Sequence, residues 1–156
     1  MIVLVMGVSG SGKTTIGERL AATLGARFLD ADDFHPPENV AKMAAGTPLT
    51  DEDRAPWLAR LNETLRGETN AVLACSALKE KYRETLRQGL RDFRIVHLKG
   101  SYDFIHARLA ARQHRYMPAS LLQSQFAALE APGDVIEVNV ADDVEACVAK
   151  IAKALG

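Results

Sequence analysis

Hydrophobic residues occur in this chain in two patterns: short continuous apolar runs, and longer stretches in which apolar residues recur every three or four positions. The first pattern is typical of strands buried on both faces, and the second is typical of helices that bury one face. Continuous runs predict buried strands over residues 2–6 and 71–75, and shorter segments rich in apolar residues predict strands over 27–30, 93–98 and 135–140. A periodic stretch follows each of them, so strands and helices are predicted to alternate.

This alternation predicts an α/β fold in which a five-stranded parallel sheet lies between two layers of helices. The 156 residues, 47% of them hydrophobic, are enough for one core, and we expect a single domain over 1–156. In open parallel sheets, ligands bind at the carboxyl ends of the strands. Residues that directly follow a predicted strand are therefore the first candidates for a functional site.

The first predicted strand leads into a glycine-rich loop that matches the phosphate-binding P-loop pattern, and a predicted helix follows. Small residues allow consecutive backbone N–H groups to surround a polyphosphate, a lysine reaches the β and γ phosphates, and a hydroxyl binds magnesium. The pattern therefore predicts binding of ATP and Mg²⁺. The residues expected at the nucleotide are Gly7, Val8, Ser9, Gly10, Ser11, Gly12, Lys13, Thr14 and Thr15.

Composition narrows the class of protein. Nineteen Lys and Arg against 20 Asp and Glu give a formal net charge of −1, whereas a general nucleic-acid binder is usually more basic. Cys75 and Cys147 lie far apart and have no metal-like or redox-like spacing, which favours reduced core thiols. No apolar run approaches the length of a membrane span. We expect a cytoplasmic protein with no nucleic-acid or membrane partner.

Two acids follow the second strand. Side chains two positions apart on a strand point the same way, so Asp30 and Asp32 are expected to face a magnesium-phosphate centre together, with Asp30 as a metal ligand. The alternative is that both acids only cap a turn or helix. The preceding P-loop favours the functional interpretation.

Basic residues follow the later strands, and each has a plain alternative as a solvated surface charge. Arg54 lies just inside a helix that begins with a capping box at Thr50, and composition does not decide whether it turns inward. Lys79 and Arg83 are one helical turn apart beyond the third strand. Arg108 and Arg112 precede the interruption at 114–118, where a lid over the phosphates or a soluble helix face are equally compatible with the pattern.

Phosphoryl transfer is the reaction that these residues suggest, because it depends mainly on positioning and on cations around an in-line path. A GTPase would need an Asn-Lys-x-Asp motif to read guanine, and this sequence lacks it. A nucleoside monophosphate kinase would have the same fold and would also use a lid over the phosphates. The residue pattern alone leaves that alternative open beside a kinase for a small acceptor.

Beyond the P-loop, the sequence resembles the small bacterial gluconokinases, which phosphorylate D-gluconate with ATP to give 6-phospho-D-gluconate. The block from His35 to Trp57 is more discriminating than the P-loop, and shikimate kinases, which share the fold, lack it. The resemblance runs to about Pro132. It rests on 30–36, on Lys42-Met43 with Gly46, on 48–58, on 75–79 with Tyr82-Arg83, and on 124–126 with Leu129-Glu130.

The resemblance implies a role for each matching residue. Lys13 and Thr14 would contact ATP and magnesium, and Asp32 would be the base or orienting group for the acceptor hydroxyl. Arg108 and Arg112 would lie at the nucleotide and the lid, with Lys13, Asp32 and Arg112 as the catalytic set. The acceptor site would be formed by His35, Lys42, Arg54, Lys79, Arg83 and Gln125. Family members are often homodimers.

Two departures from the family pattern are visible. Ala31 stands where the family usually has glycine, a small change unless that position requires a positive φ angle. In the lid, His114-Arg115-Tyr116-Met117 replaces the usual Gly-His-aromatic-Met. The resemblance therefore assigns no role to His114, and Arg115 is an additional candidate for a phosphate contact.

Overall fold

A computed structural model gives the architecture, and it describes residues 1–111, 119–133 and 135–156. The predicted lid residues Arg112, His114 and Arg115 lie outside these ranges. The strands are β1 (Ile2–Met6), β2 (Arg27–Asp30), β3 (Ala71–Ala74), β4 (Phe93–Lys99) and β5 (Ile136–Asn139). The helices are α1 (Lys13–Leu24), α2 (Pro37–Ala44), α3 (Asp51–Arg66), α4 (Glu80–Arg87), α5 (Tyr102–Ala110), α6 (Ala119–Ala128) and α7 (Val144–Leu155).

The strands form one parallel sheet in the order β2-β3-β1-β4-β5, which confirms the predicted α/β fold. β1 lies at the centre, with Val5 beside Ala74 of β3 and beside Val96 of β4. Every strand therefore ends at the same edge of the sheet. The loop after β1 emerges between the ends of β3 and β4, as the P-loop assignment requires.

Two apolar clusters cover the two faces of the sheet, and β1 shows why its sequence is continuously apolar. Val3 and Val5 pack with α1, α5 and α7, whereas Leu4 and Met6 pack with α3 and α4 on the opposite face. All of β1 is buried. None of the helices in the described ranges is long and apolar enough to cross a bilayer.

The element boundaries differ little from the predictions, and the differences lie at the ends. Helix α2 begins at Pro37, which is well tolerated there because proline has no N–H to lose at a first helical turn. Thr50 and Asp53 form the predicted capping box at the start of α3. Asp143 lies at the N-cap position of α7, without a side-chain cap hydrogen bond.

Candidate active site

The P-loop connects β1 to α1 through two glycines whose backbone angles few other residues adopt. Gly10 has φ 82° and Gly12 has φ 93°, both in the left-handed region that favours glycine. A Cβ atom on Gly10 would also lie 2.8 Å from the side chain of Leu109. These glycines let the loop curl tightly and close against α5.

Lys13 begins α1, and its amine folds back over the loop. Nζ donates a hydrogen bond to the carbonyl oxygen of Val8 at 3.0 Å. Loss of water around the amine lowers the pKa of Lys13, while the negative charges of Asp32 and Asp30 act in the opposite direction. The amine therefore lies at the junction between the P-loop and the two acids of the β2 end.

Asp30 connects this junction to the first turn of α1. Its carboxylate accepts a hydrogen bond from Thr14 Oγ1 at 3.3 Å and another from the backbone N–H of Asp32 at 3.0 Å. A hydroxyl beside a carboxylate is a donor set that suits Mg²⁺, which usually takes one or two carboxylates together with phosphate oxygens and water. Among the described residues, no group of three or more His, Cys, Asp or Glu side chains is arranged as a metal site.

Asp32 occupies a different conformation from the one predicted. β2 ends at Asp30, and residues Ala31–Phe34 form a short 3-10 helix, so the strand alternation used to align the two acids stops before Asp32. Asp30 caps this turn, as the structural alternative expected, and its carboxylate also contacts Thr14. Loss of hydration raises the pKa of Asp32, and the charge of Asp30 raises it further.

The Ala31 departure causes no backbone strain. Among the described residues, Ala77 is the non-glycine residue with a positive φ, and Ala31 is not. The Ala31 methyl group is buried in the core beneath the turn. Alanine therefore fits this position without the conformational freedom of glycine.

His35 ends the acidic turn and stacks on Trp57 of α3, with ring centroids 4.2 Å apart and an interplanar angle of 14°. Its Nδ1 lies 3.2 Å from the side-chain nitrogen of Asn39. Burial lowers the pKa of His35; Asp32 opposes this shift and Arg54 adds to it. A neutral ring beside Asp32 is therefore favoured.

Arg54 turns inward from the first turn of α3. Its Nη1 donates to the carbonyl oxygen of Leu49 at 2.8 Å and to the Tyr82 hydroxyl at 3.3 Å, and the guanidinium lies 5.5 Å from the centroid of the Tyr82 ring. Within the described ranges, no hydrogen bond occupies its Nε and Nη2 edge. That edge retains the two parallel donors that a carboxylate accepts.

Lys79 lies beside the same cluster. Its amine is 3.5 Å from Asp51 Oδ1 and 5.8 Å from the centroid of the Tyr82 ring. Asp51 also binds Lys81 and the Tyr82 hydroxyl, and these contacts hold the pKa of the Asp51 carboxyl group well below its usual value. Asp51 therefore has three partners, and the Lys79 amine is the most distant of them.

Lys42 was predicted on the acceptor side, but its amine has a close partner within the protein. Nζ donates to Asp53 Oδ1 at 2.7 Å and so joins the end of α2 to the capping box of α3. This ion pair positions the α2–α3 corner. It leaves Lys42 a weaker candidate for substrate contact than Arg54.

The position of Arg83 corrects the prediction of an acceptor contact. The side chain is fully buried and donates to the carbonyl oxygens of Ala77 at 2.7 Å and Glu130 at 2.8 Å, and to the Glu80 carboxylate. It holds Ala77 at φ 45°, a conformation that an unsupported alanine avoids. Arg83 therefore shapes the loop after β3 from beneath, and its guanidinium does not reach the crevice.

Gln125 also differs from its prediction. It was expected at the acceptor, yet its Oε1 accepts from the Ser9 N–H at 2.7 Å and its Nε2 donates to Ser9 Oγ at 2.9 Å. Both polar atoms of the amide are thus used on the P-loop, which places Gln125 on the nucleotide side. Helix α6 is held a second time beyond its end, where Glu130 bonds to Leu78 and Glu80.

Arg108 reaches the P-loop from α5. Its Nη1 donates to the carbonyl oxygen of Gly10 at 3.3 Å, and its Nη2 donates to that of Val140 at 2.9 Å. The guanidinium also lies 4.8 Å from the centroid of the Phe104 ring. The guanidinium therefore contacts the loop between β1 and α1, and its role at the nucleotide stays a prediction. The remaining residue of the predicted catalytic set, Arg112, falls outside the described ranges.

Two residues that the sequence did not single out hold His35 and Arg54 in place. Asn39 is buried and bonds both to His35 and to the carbonyl oxygen of Asp53 at 2.9 Å. Tyr82 bridges Arg54 to Asp51. Asn39 could have been noticed as a polar residue on the face of α2 that packs inward. The contacts of the Tyr82 hydroxyl depend on tertiary structure, so no local pattern indicates them.

Comparison with known proteins shows which family the chain belongs to. Residues 2–132 match a family model described as an AAA domain. The thermosensitive gluconokinase of Escherichia coli is 45% identical over 150 residues, which cover 90% of this chain and 80% of the relative. The gluconokinase of Gluconobacter oxydans is 52% identical over 135 residues, which cover 84% of this chain and 76% of that one. The chain belongs to the gluconokinase family. The resemblance to the gluconokinases that the sequence indicated is thereby confirmed, and the chain is a P-loop kinase.

Solved structures agree with this family. A gluconokinase from Sinorhizobium meliloti matches with a TM-score of 0.87 and 41% identity, covering 98% of this chain and 94% of that one. A sugar kinase from Janibacter matches with a TM-score of 0.90 and 43% identity, covering 99% and 93%. Shikimate kinase from Aquifex aeolicus, at 18% identity and a TM-score of 0.68, shares the fold alone.

Proposed function

We propose that this gluconokinase-family chain transfers the γ-phosphoryl group of ATP to the terminal hydroxyl of D-gluconate, giving 6-phospho-D-gluconate and ADP. One arrangement supports the proposal: the charge of Asp32 acts both on the P-loop lysine, Lys13, and on His35, and the charge of Arg54 acts on the same histidine. A carboxylate that attracts a hydroxyl proton and a guanidinium that binds an acid suit a sugar-acid acceptor.

On the nucleotide side, the proposal assigns the triphosphate to the loop from Gly7 to Thr15, with Lys13 compensating charge on the transferring group. Lys13 Nζ is already aligned over the loop by Val8. Arg108 lies on the same loop through Gly10. Fixed cations aimed at developing phosphate charge are the main source of catalysis in phosphoryl transfer.

The transfer step is an in-line displacement. The acceptor oxygen forms a bond to the γ-phosphorus, the bond from that phosphorus to the β–γ bridging oxygen breaks, and ADP leaves with that electron pair. The hydroxyl proton passes to the Asp32 carboxylate. The raised pKa of Asp32 makes it a better proton acceptor than an ordinary surface aspartate.

Mg²⁺ belongs to the proposal as the partner of the triphosphate, where it would neutralise charge on the phosphate oxygens. Thr14 and Asp30 are the residues that would hold it, because their oxygens lie side by side at the start of α1. Asp30 keeps its second oxygen on the backbone of Asp32, which orients the carboxylate.

The direct test is ADP release by the purified protein, with ATP and magnesium, across gluconate, other aldonates, shikimate and nucleoside monophosphates. A Lys13→Ala preparation purified in parallel controls for contaminating kinases. We expect gluconate to have the highest kcat/KM. Preference for shikimate or a nucleoside monophosphate would overturn the proposal and keep only the kinase fold.

We also expect a cytoplasmic, homodimeric protein. A cytoplasmic location fits a metabolic kinase that uses ATP and a small acid, and fractionation of the source cells tests it. A homodimer follows from the family resemblance, and light scattering after size exclusion separates a dimer from a monomer.

A further inference from the structure

A buried asparagine on α2 contacts the ring that ends the acidic turn. The Asn39 side chain is 2% exposed, and its Nδ2 lies 2.9 Å from the carbonyl oxygen of Asp53 and 3.2 Å from Nδ1 of His35. A carbonyl oxygen only accepts hydrogen bonds, so the Asn39 atom that faces Asp53 is the amide nitrogen. That nitrogen has two hydrogens, one for each neighbour.

This geometry determines where His35 carries its proton. An amide nitrogen only donates, so the ring atom facing it must accept, and Nδ1 is therefore unprotonated. In a neutral imidazole the proton then lies on Nε2. Nε2 has no hydrogen-bond partner among the described residues, and the half-buried ring leaves it accessible to solvent.

The ring is also fixed in direction. Stacking on Trp57 sets its plane, and the Asn39 contact sets its rotation within that plane. The Trp57 indole in turn donates to Ala31, which lies in the same acidic turn. The charged groups that act on His35 are Asp32 in the turn and Arg54 on α3.

We propose that Asn39 is a positioning residue for acceptor recognition, because it holds His35 in the Nε2–H tautomer and so directs a neutral N–H donor at an oxygen of the sugar acid. Asp32 takes the proton of the reacting hydroxyl, whereas His35 donates a hydrogen bond. The two side chains therefore contact different oxygen atoms of the acceptor. The inference rests on the proposed function for the identity of the acceptor. The tautomer itself does not depend on it.

The tautomer is read from the wild-type protein without substrate, by long-range proton–nitrogen correlation NMR of ¹⁵N-labelled histidine. The chain has four histidines, and a His35→Gln sample identifies the signal that disappears. We expect an Nε2–H ring at neutral pH. An Nδ1–H ring, or a mixture of both tautomers, overturns the inference.

Asn39→Asp tests the consequence, since a carboxylate accepts from Nδ1 and favours the charged ring. We expect the His35 ring to stay protonated up to a higher pH than in the wild type. The KM for gluconate should rise about tenfold while the KM for ATP stays unchanged. Asn62→Asp is the matched control. Asn62 is buried on α3 and donates to the carbonyl oxygens of Leu86 and Gln88, both at 2.8 Å.

The outcomes separate the two proposals. If Asn39→Asp and Asn62→Asp raise the KM for gluconate equally, or neither raises it, Asn39 has only a structural role. If the ring is Nε2–H but the wild type does not phosphorylate gluconate, the proposed function fails and the tautomer stands. An Nδ1–H ring in an active gluconokinase removes the inference alone.

Discussion

The indole Nε1 of Trp57 donates a hydrogen bond to the carbonyl oxygen of Ala31 at 2.7 Å, with both residues buried in the core. This bond attaches α3 to the residue between the two acids of the crevice. The same indole carries the stacked ring of His35. One core side chain therefore contacts both the acidic turn and the His35 ring that ends it.

Asp32→Asn is expected to lower kcat by about 100-fold or more, because the amide has nearly the same shape but cannot take the hydroxyl proton. The KM for ATP should change little. Steady-state kinetics with gluconate as acceptor measure both. Asp33→Asn, on the next residue of the turn, is the matched control, and a rate within a few-fold of wild type in Asp32→Asn would reassign Asp32 to a structural turn.

Arg54→Lys keeps the charge and loses the two-pronged donor edge. We expect the KM for gluconate to rise about tenfold, the scale of one charge-assisted hydrogen bond, with the KM for ATP nearly constant. Arg60→Lys is the control, since Arg60 also lies on α3 and its guanidinium covers the Phe34 ring at 5.5 Å. An unchanged KM for gluconate, or a change for ATP alone, would place the carboxylate elsewhere.

Gln125→Ala should act on the nucleotide and not on the acceptor, because both polar atoms of Gln125 are bonded to Ser9. Losing two hydrogen bonds that order the loop is expected to raise the KM for ATP about 5- to 30-fold. Gln123→Ala, at an exposed position of the same helix, is the control. A selective rise in the KM for gluconate would instead restore the acceptor role predicted from the sequence.

Asp53 provides a pH-dependent contribution to stability. Hydrogen bonds from Lys42 and from the Thr50 backbone lower its pKa from 3.8 to about 2 in the folded chain. A depressed carboxyl pKa stabilises the fold above the unfolded value, and this contribution disappears as pH falls through the folded value. Urea unfolding should therefore show stability decreasing between about pH 4 and pH 2.

Asp53→Asn should weaken that particular pH dependence, and Glu52→Gln on the same turn should not. Glu52 is exposed, and no hydrogen bond or ion pair joins it to another described residue. Equal slopes in wild type and Asp53→Asn over this range would show that the carboxylate is not held by its neighbours in solution.

The sheet could be predicted from the sequence because the pattern that indicates each strand lies within a few consecutive residues. The strands Ile2–Met6 and Arg27–Asp30 have the predicted bounds. For Ile2–Met6 the reason is that a continuous apolar segment that leads into a glycine-rich loop has few alternatives. The end of β3, the end of β4 and both bounds of β5 differ from the prediction by one residue, because the apolar pattern weakens there and pairing with neighbouring strands decides the bounds. The Thr50 capping box was equally local, because its two partners are three positions apart.

The site could be predicted only where spacing along the chain fixes position in space. The P-loop is such a case. Arg83 is not, because helical spacing shows which residues share a face but not that this face is buried against Ala77 and Glu130. Gln125 bonds to a residue 116 positions away, a partner that no local pattern indicates. Asp32 was misplaced because strand alternation was continued past the end of β2.

The central claim is that this chain selects a sugar acid by its carboxylate, and competition between two acceptors tests it most directly. Equal concentrations of D-gluconate and D-glucose, which differ at the carboxylate end, are incubated with ATP, magnesium and limiting enzyme, and ³¹P NMR identifies the products. We predict 6-phosphogluconate in large excess over any glucose phosphate. Comparable amounts of the two products, or phosphate at another hydroxyl of gluconate, would contradict it.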